Sequence, residues 1–338
     1  MPERNTMKKI QELQQVKGDA YDYYIAGNED TDLFEKIFLV DDIVEEICKP
    51  DKYFLIGEKG SGKTAYSVYM SKSDKINSFC SISLVENTLY QRFLNMKRQK
   101  ALELSSFKDV WINLIYLILA EKIRKEYGET FFSSIKYKQL SKAIDVFYSD
   151  AFKPEFVNAF EFVDNASASI NSMMKQGLFS TGTKASAETS QKYVEQSFQI
   201  SLLKIRDGFE KAFMSVNLKK PTILFVDGID ARPRDIDNEQ YFECLVGLVN
   251  AVLEMNQSFL KEKQIKIMLL IRPDIMYKMP VHNMNQKLRN NSVLLNWVTS
   301  YRKYIDSKLF KIADDYFMKQ QDYSYELGEC WNYYFPYK

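Results

Sequence analysis

The stretch Gly57-Glu58-Lys59-Gly60-Ser61-Gly62-Lys63-Thr64 constrains this chain more than any other. It follows an apolar run, Tyr53-Phe54-Leu55-Ile56, and the residues after it continue as a helix start. The spacing is G-x-x-x-x-G-K-[ST], in the order strand, glycine-rich turn, helix that this phosphate-loop pattern requires. Glycines let the backbone curl until consecutive N–H groups point at one place. That place lies at a helix N-terminus, where the aligned peptide dipoles favour an anion. The pattern assigns Gly57, Glu58, Lys59, Gly60, Ser61, Gly62, Lys63, Thr64 and Ala65 to a bound nucleotide. Lys63 is suited to the β- and γ-phosphates and the Thr64 hydroxyl to magnesium. Within the turn, Glu58 reads as a solvated side chain.

A loop of this kind needs a partner carboxylate for magnesium, at the end of a buried strand. Ile223-Leu224-Phe225-Val226-Asp227 fits, so Asp227 is the candidate, acting on the metal through water. The plainer alternative is an Asp that closes a strand at an Asp-Gly turn. Asp230, three residues on, is placed to polarise an attacking water; its alternative is an Asx turn or a helix cap. Arg272 follows the apolar stretch 265–271, and its guanidinium suits γ-phosphate charge. Its alternative is an ion pair with Asp274. Arg232 and Arg234 flank Pro233 and read as a solvated loop before they read as an arginine finger acting in trans.

Composition narrows the remaining classes. With 338 residues the chain is long enough for one large α/β domain with insertions, or for two domains. Hydrophobic residues at 46% support a real core and exclude global disorder. Lys+Arg at 46 against Asp+Glu at 45 gives a net charge of +1, which provides no argument for nucleic acid or an anionic membrane and leaves a local basic patch open. The four cysteines, Cys48, Cys80, Cys244 and Cys330, are far apart and show no metal-ligand spacing. They read as reduced thiols of a cytoplasmic protein. His282 is the single histidine and reads as structural. The N-terminus shows no signal pattern, and the longest apolar run, 110–120, is too short for a bilayer and predicts a buried helix.

Three segments are expected. Residues 1–50 form a helical lead-in, with Leu33, Ile37, Val40, Val44 and Ile47 at helical spacing and Pro50 closing it. Residues 51–310 form the nucleotide-binding domain, with strands at 53–56, 79–84, 222–226, 265–271 and 293–297, helices at 193–214 and 240–259, and a helical or flexible insertion at about 89–215. Within that insertion, 165–190 is small and polar. A helix at 301–317 leads into a C-terminal helical segment at 311–338, whose aromatic end, 331–337, is expected to pack rather than hang in solvent. Strands alternating with helices predict an α/β fold, a parallel sheet with helices on both faces. Ligands of such sheets sit beyond the carboxyl ends of the strands, where Gly57, Asp227 and Arg272 fall.

Together these motifs carry a resemblance. Phe-Leu-Ile-Gly-Glu-Lys-Gly-Ser-Gly-Lys-Thr64, Ile-Leu-Phe-Val-Asp-Gly-Ile-Asp230 and Leu-Leu-Ile-Arg-Pro-Asp274 resemble a STAND/AAA+ type P-loop ATPase. The Asp-Gly-Ile-Asp step is similar to the NACHT form of Walker B, and Arg272 to the sensor-1 arginine of STAND proteins. The run from Arg272 through Asn283, Asn285, Lys287, Leu288, Arg289, Asn291-Ser-Val293 and Trp297 resembles bacterial P-loop ATPases of defence and conflict systems. The resemblance spans roughly residues 33–310. It implies a P-loop NTPase sheet in the order 5-1-4-3-2, with ATP and magnesium bound. It also implies slow hydrolysis coupled to a switch in contacts with a second copy of the chain or a partner effector. Antiviral defence is the setting it suggests. Ala231 stands where NACHT proteins often have a further Glu, and only about 40 residues follow the last strand, short of a full lid and winged helix. The alternatives are a nucleotide-gated scaffold with little hydrolysis, a DNA-handling ATPase and, least supported, a small-molecule kinase.

Overall fold

The computed structural model describes residues 12–25, 28–85, 107–132, 137–150, 202–230, 238–279, 288–297, 303–322 and 324–336. Ala231, Arg232, Arg234, His282 and the polar stretch 165–190 lie outside the described residues. The chain is α/β, with a five-stranded parallel sheet. Its strands are β1 (Phe54–Gly57), β2 (Phe79–Leu84), β3 (Thr222–Asp227), β4 (Ile265–Ile271) and β5 (Ser292–Leu295), in the order β2-β3-β4-β1-β5. Ahead of β1 run α1 (Ala20–Ile25), α2 (Asn28–Ile37) and α3 (Asp42–Cys48); α4 (Lys63–Lys72) follows it. Between β2 and β3 lie α5 (Phe107–Phe132), α6 (Lys138–Asp150) and α7 (202–215). Then come α8 (Asn238–Asn256), α9 (Pro273–Lys278), α10 (Lys308–Met318) and α11 (Glu329–Tyr334). Among the described residues no helix is long and apolar enough to cross a membrane.

Contacts divide the chain into two compact units, one of residues 1–49, 56–76 and 293–338, the other of residues 50–55 and 77–292. The second unit holds β2, β3 and β4. Every residue of β3 and β4 is buried, as expected for strands covered on both faces. They pair in parallel, with Phe225 opposite Met268, and β2 pairs in parallel with β3 so that Leu84 lies opposite Asp227. α8 is joined to β4 by Asn256, whose amide donates to Ile267 O at 2.7 Å and whose Oδ1 accepts from Ile267 N at 2.9 Å. The helix ends at Asn256, short of the expected 259. α5 buries 110–120 as the apolar run predicts, and Trp111 Nε1 donates to Cys244 O on α8 at 3.1 Å. A Cβ on Gly247 of α8 would meet Phe107 Cβ at 2.6 Å, so the two helices touch backbone to side chain there.

The other unit carries the glycine-rich loop. The helix expected over 33–47 is divided, because Asp41 is extended (φ −126, ψ −177) and its carboxylate accepts from Ile43 N at 3.2 Å, capping α3. Phe38, in the link, stacks on Tyr69 of α4 at 4.3 Å and meets Tyr66 edge-on at 5.2 Å. The helix expected over 301–317 starts at Lys308, where Ser307 Oγ accepts from Phe310 N at 3.1 Å. The aromatic C-terminal end does pack: Trp331 lies 5.4 Å from Phe310 and 4.5 Å from Phe335. The fully buried Asp314 accepts from Gly328 N at 2.5 Å and Trp331 N at 3.1 Å, which supplies acceptors for the start of α11.

Candidate functional site

β1 delivers the chain to the loop fully buried, and the loop leaves it exposed at Glu58, Lys59 and Gly60. Gly60 and Gly62 hold φ of +80 and +88, the left-handed region that side-chain-bearing residues avoid. Gly57 is needed for a different reason. A Cβ there would strike Ser61 Oγ and stand 3.0 Å from Leu295 Cβ. Gly62 is the N-cap of α4 and makes no side-chain cap, so the first-turn amides of α4 face the loop without an internal acceptor of that kind. The loop thus pairs exposed backbone with a helix N-terminus, the arrangement that binds phosphate.

Lys63 is the first residue of α4 and is buried. Its ammonium donates to Gly57 O at 2.8 Å and Glu58 O at 3.1 Å, so the charge sits across the mouth of the loop. Thr64 and Ala65 follow half-buried on the first turn, and Thr64 O accepts from Ser67 Oγ at 2.8 Å. Ser61 Oγ is buried and has no hydrogen-bond partner among the described residues. Such a hydroxyl costs stability unless something satisfies it.

Two neighbours of this loop escape motif reading. Trp297 Nε1 donates to Ser61 O at 2.9 Å, although the sequence offers Trp297 only as the end of the expected last strand and as one residue of the resemblance. Tyr66, one turn beyond Lys63, donates to Asp41 Oδ1 at 2.8 Å, and Lys308 Nζ lies 3.3 Å from Asp41 Oδ2. Burial and the adjacent Asp41 carboxylate push the Tyr66 phenol well above its ordinary value, so it stays a donor at neutral pH. Asp41, Tyr66, Leu295, Asn296, Trp297 and Lys308 line a shallow cleft. A signal existed in the Asp41 cap, since Asp before an apolar helical run marks a helix start.

In the other unit, the turn after β3 holds the predicted carboxylates. Asp227 is the last residue of β3 and is buried at 8% exposure. Its Oδ1 accepts from Gly228 N at 2.7 Å, and its carbonyl accepts from Val85 N at 2.8 Å. Gly228 has φ +84, and a Cβ there would lie 2.9 Å from Val85 O. Ile229 is buried and its carbonyl accepts from Tyr241 OH at 2.5 Å. Asp230 follows half-buried in the same turn. Arg272 is the N-cap residue of α9, and its side chain forks onto Asp274, Nε to Oδ1 at 2.9 Å and Nη2 to Oδ2 at 2.8 Å. The ion pair weighed as its alternative is therefore present. Among the described residues no group of three or more His, Cys, Asp or Glu side chains forms a metal cluster.

Comparison with protein families, curated proteins and solved structures finds no match.

Proposed function

We propose that this chain is a magnesium-dependent ATP-binding and hydrolysing switch protein. The observation that carries the reading is the Gly57–Thr64 loop itself: left-handed glycines, an exposed turn, and a buried Lys63 ammonium at the N-terminus of α4. Gly57 lets Ser61 and Leu295 pack directly against the loop backbone, and the Ser61 hydroxyl is buried without a partner among the described residues, which fits a loop that closes on an anionic group. Lys63 would neutralise phosphate charge. Thr64 and Asp227 offer hard oxygen donors of the kind magnesium takes. Bound magnesium supplies charge neutralisation on the phosphates. Asp230 is assigned to orient water, and Arg272 to the γ-phosphate.

The strand order supports the same reading. Taken from the β5 edge it runs 5-1-4-3-2, the order the resemblance to STAND/AAA+ ATPases implies. Two observations favour a second reading, a nucleotide-gated scaffold that hydrolyses little. Arg272 is occupied by a bidentate pair with Asp274, and Ala231 stands where a further acidic residue is common in the proteins it resembles.

The test is steady-state ATP turnover by the full chain and by Asp230→Asn over a range of protein concentrations, with particle size measured alongside. Turnover that requires Asp230 and rises with assembly supports the oligomerising switch. Magnesium-dependent binding with no turnover at any concentration favours the scaffold.

A further inference from the structure

Ser61 C=O and Gly62 N–H belong to one peptide unit. A trans peptide is planar, so these two groups point in opposite directions. The Ser61 carbonyl accepts from Trp297 Nε1 at 2.9 Å, which turns the Gly62 N–H away from the indole. Ser61 N donates to Glu58 O at 3.1 Å and Gly62 O accepts from Tyr66 N at 2.9 Å, which holds the residues on either side but leaves the C=O and N–H of this unit to other partners. Gly62 has φ +88 and Gly60 φ +80, and glycine crosses between backbone basins at low cost. Residues 58–60 are exposed. Lys63 restrains the near end of the loop through Gly57 O and Glu58 O, and leaves the Ser61–Gly62 peptide to another restraint. The indole meets that need: its N–H holds the carbonyl, and its ring stands beside Gly62, where an added Cβ would lie 3.9 Å from Trp297 Cζ2.

We infer that Trp297 is a positioning residue for phosphate binding: its indole N–H latches the Ser61–Gly62 peptide so that the Gly62 N–H is presented to a bound phosphate. The inference rests on the ATP reading for its consequence, and on the hydrogen bond for its mechanism. Loss of one neutral hydrogen bond predicts Mg-ATP binding weakened by about 3- to 10-fold.

The experiment uses the full chain as wild type, Trp297→Phe and Trp297→His. The Phe variant keeps an aromatic ring and removes the donor; the His variant restores a ring N–H. Glycine-selective 15N labelling limits the spectrum to the 12 glycine amides, so Gly62 motion is read directly alongside Mg-ATP affinity and melting temperature. The expected result is a Gly62 amide that is rigid in wild type, mobile in Trp297→Phe and partly restored in Trp297→His, with Mg-ATP affinity following the same order and melting temperatures unchanged. An unchanged Gly62 amide in Trp297→Phe overturns the latch. So does a mobile Gly62 with undiminished Mg-ATP affinity. Absence of Mg-ATP binding in all three proteins refutes the ATP reading instead, and the glycine amides still judge the latch.

Discussion

The loop after β1 and the turn after β3 each follow a fully buried strand, yet they are built on opposite principles. The loop is exposed at 58–60, is shaped by its own glycines, and is held at its two ends by Lys63 and Trp297. The turn is wedged into its surroundings: Gly228 against the Val85 backbone, Ile229 buried beneath Tyr241. A segment that keeps its backbone open is suited to receive a group from outside. A segment locked by its neighbours instead holds one carboxylate, Asp227, in a fixed direction. The loop should therefore respond to ligand and to loss of its latches, whereas the turn should respond to any change in packing.

The turn offers the largest effect. Gly228→Ala puts a Cβ 2.9 Å from Val85 O at φ +84, and is expected to cost about 1–3 kcal/mol of stability. Thermal melting checks it; an unchanged melting temperature would mean that the turn yields as easily as the loop, and the contrast would collapse. Asp41→Ala comes next. It removes the α3 cap and strips acceptors from Tyr66 and Lys308, with an expected cost of about 0.5–2 kcal/mol. Because Tyr66 lies on α4, this variant sharpens the comparison by showing how far the loop depends on the helix behind it. If it melts with the wild type, the Asp41 network is ornamental.

Asp274→Ala is smaller in stability, about 0.2–1 kcal/mol for a partly exposed pair. Its value lies in turnover, since it frees Arg272. Faster ATP hydrolysis would show that the pair restrains a working guanidinium; slower or unchanged hydrolysis would assign Arg272 to structure. The smallest effect is one of pH. Burial, with Asp314 and Glu329 nearby, pushes the Cys330 thiol from its ordinary value near 9 up to about 11. The folded chain keeps a proton that the unfolded chain releases, so this contribution is intact below about pH 9 and is lost as pH rises toward 11. Cys330→Ala should flatten the fall of melting temperature across that window, and an unaltered slope would remove Cys330 as its source.

Much of the fold was legible because it is written in short-range patterns. β2 and β4 occupy 79–84 and 265–271, where alternation and a continuous apolar run predict them. The loop was legible because its shape depends on glycines adjacent in sequence. What escaped depends on partners distant in sequence. The helix over 33–47 breaks because Asp41 caps its second half, and Asn256 at the end of α8 bonds both backbone groups of Ile267 on β4. Trp297 reaches Ser61 across 236 residues, which no local pattern encodes. Arg272 lies between these cases: Asp274 is two residues away, so the pair was visible as one of two choices, and sequence alone does not decide between them.

The central claim is that the Gly57–Thr64 loop binds Mg-ATP through Lys63. It is tested most directly by calorimetric titration of Mg-ATP into the full chain and into Lys63→Ala. Saturable binding by wild type, weakened at least about 10-fold in Lys63→Ala through loss of a charged hydrogen-bond donor, is the predicted result. Equal affinity in the two proteins, or no saturable binding by wild type, would contradict it.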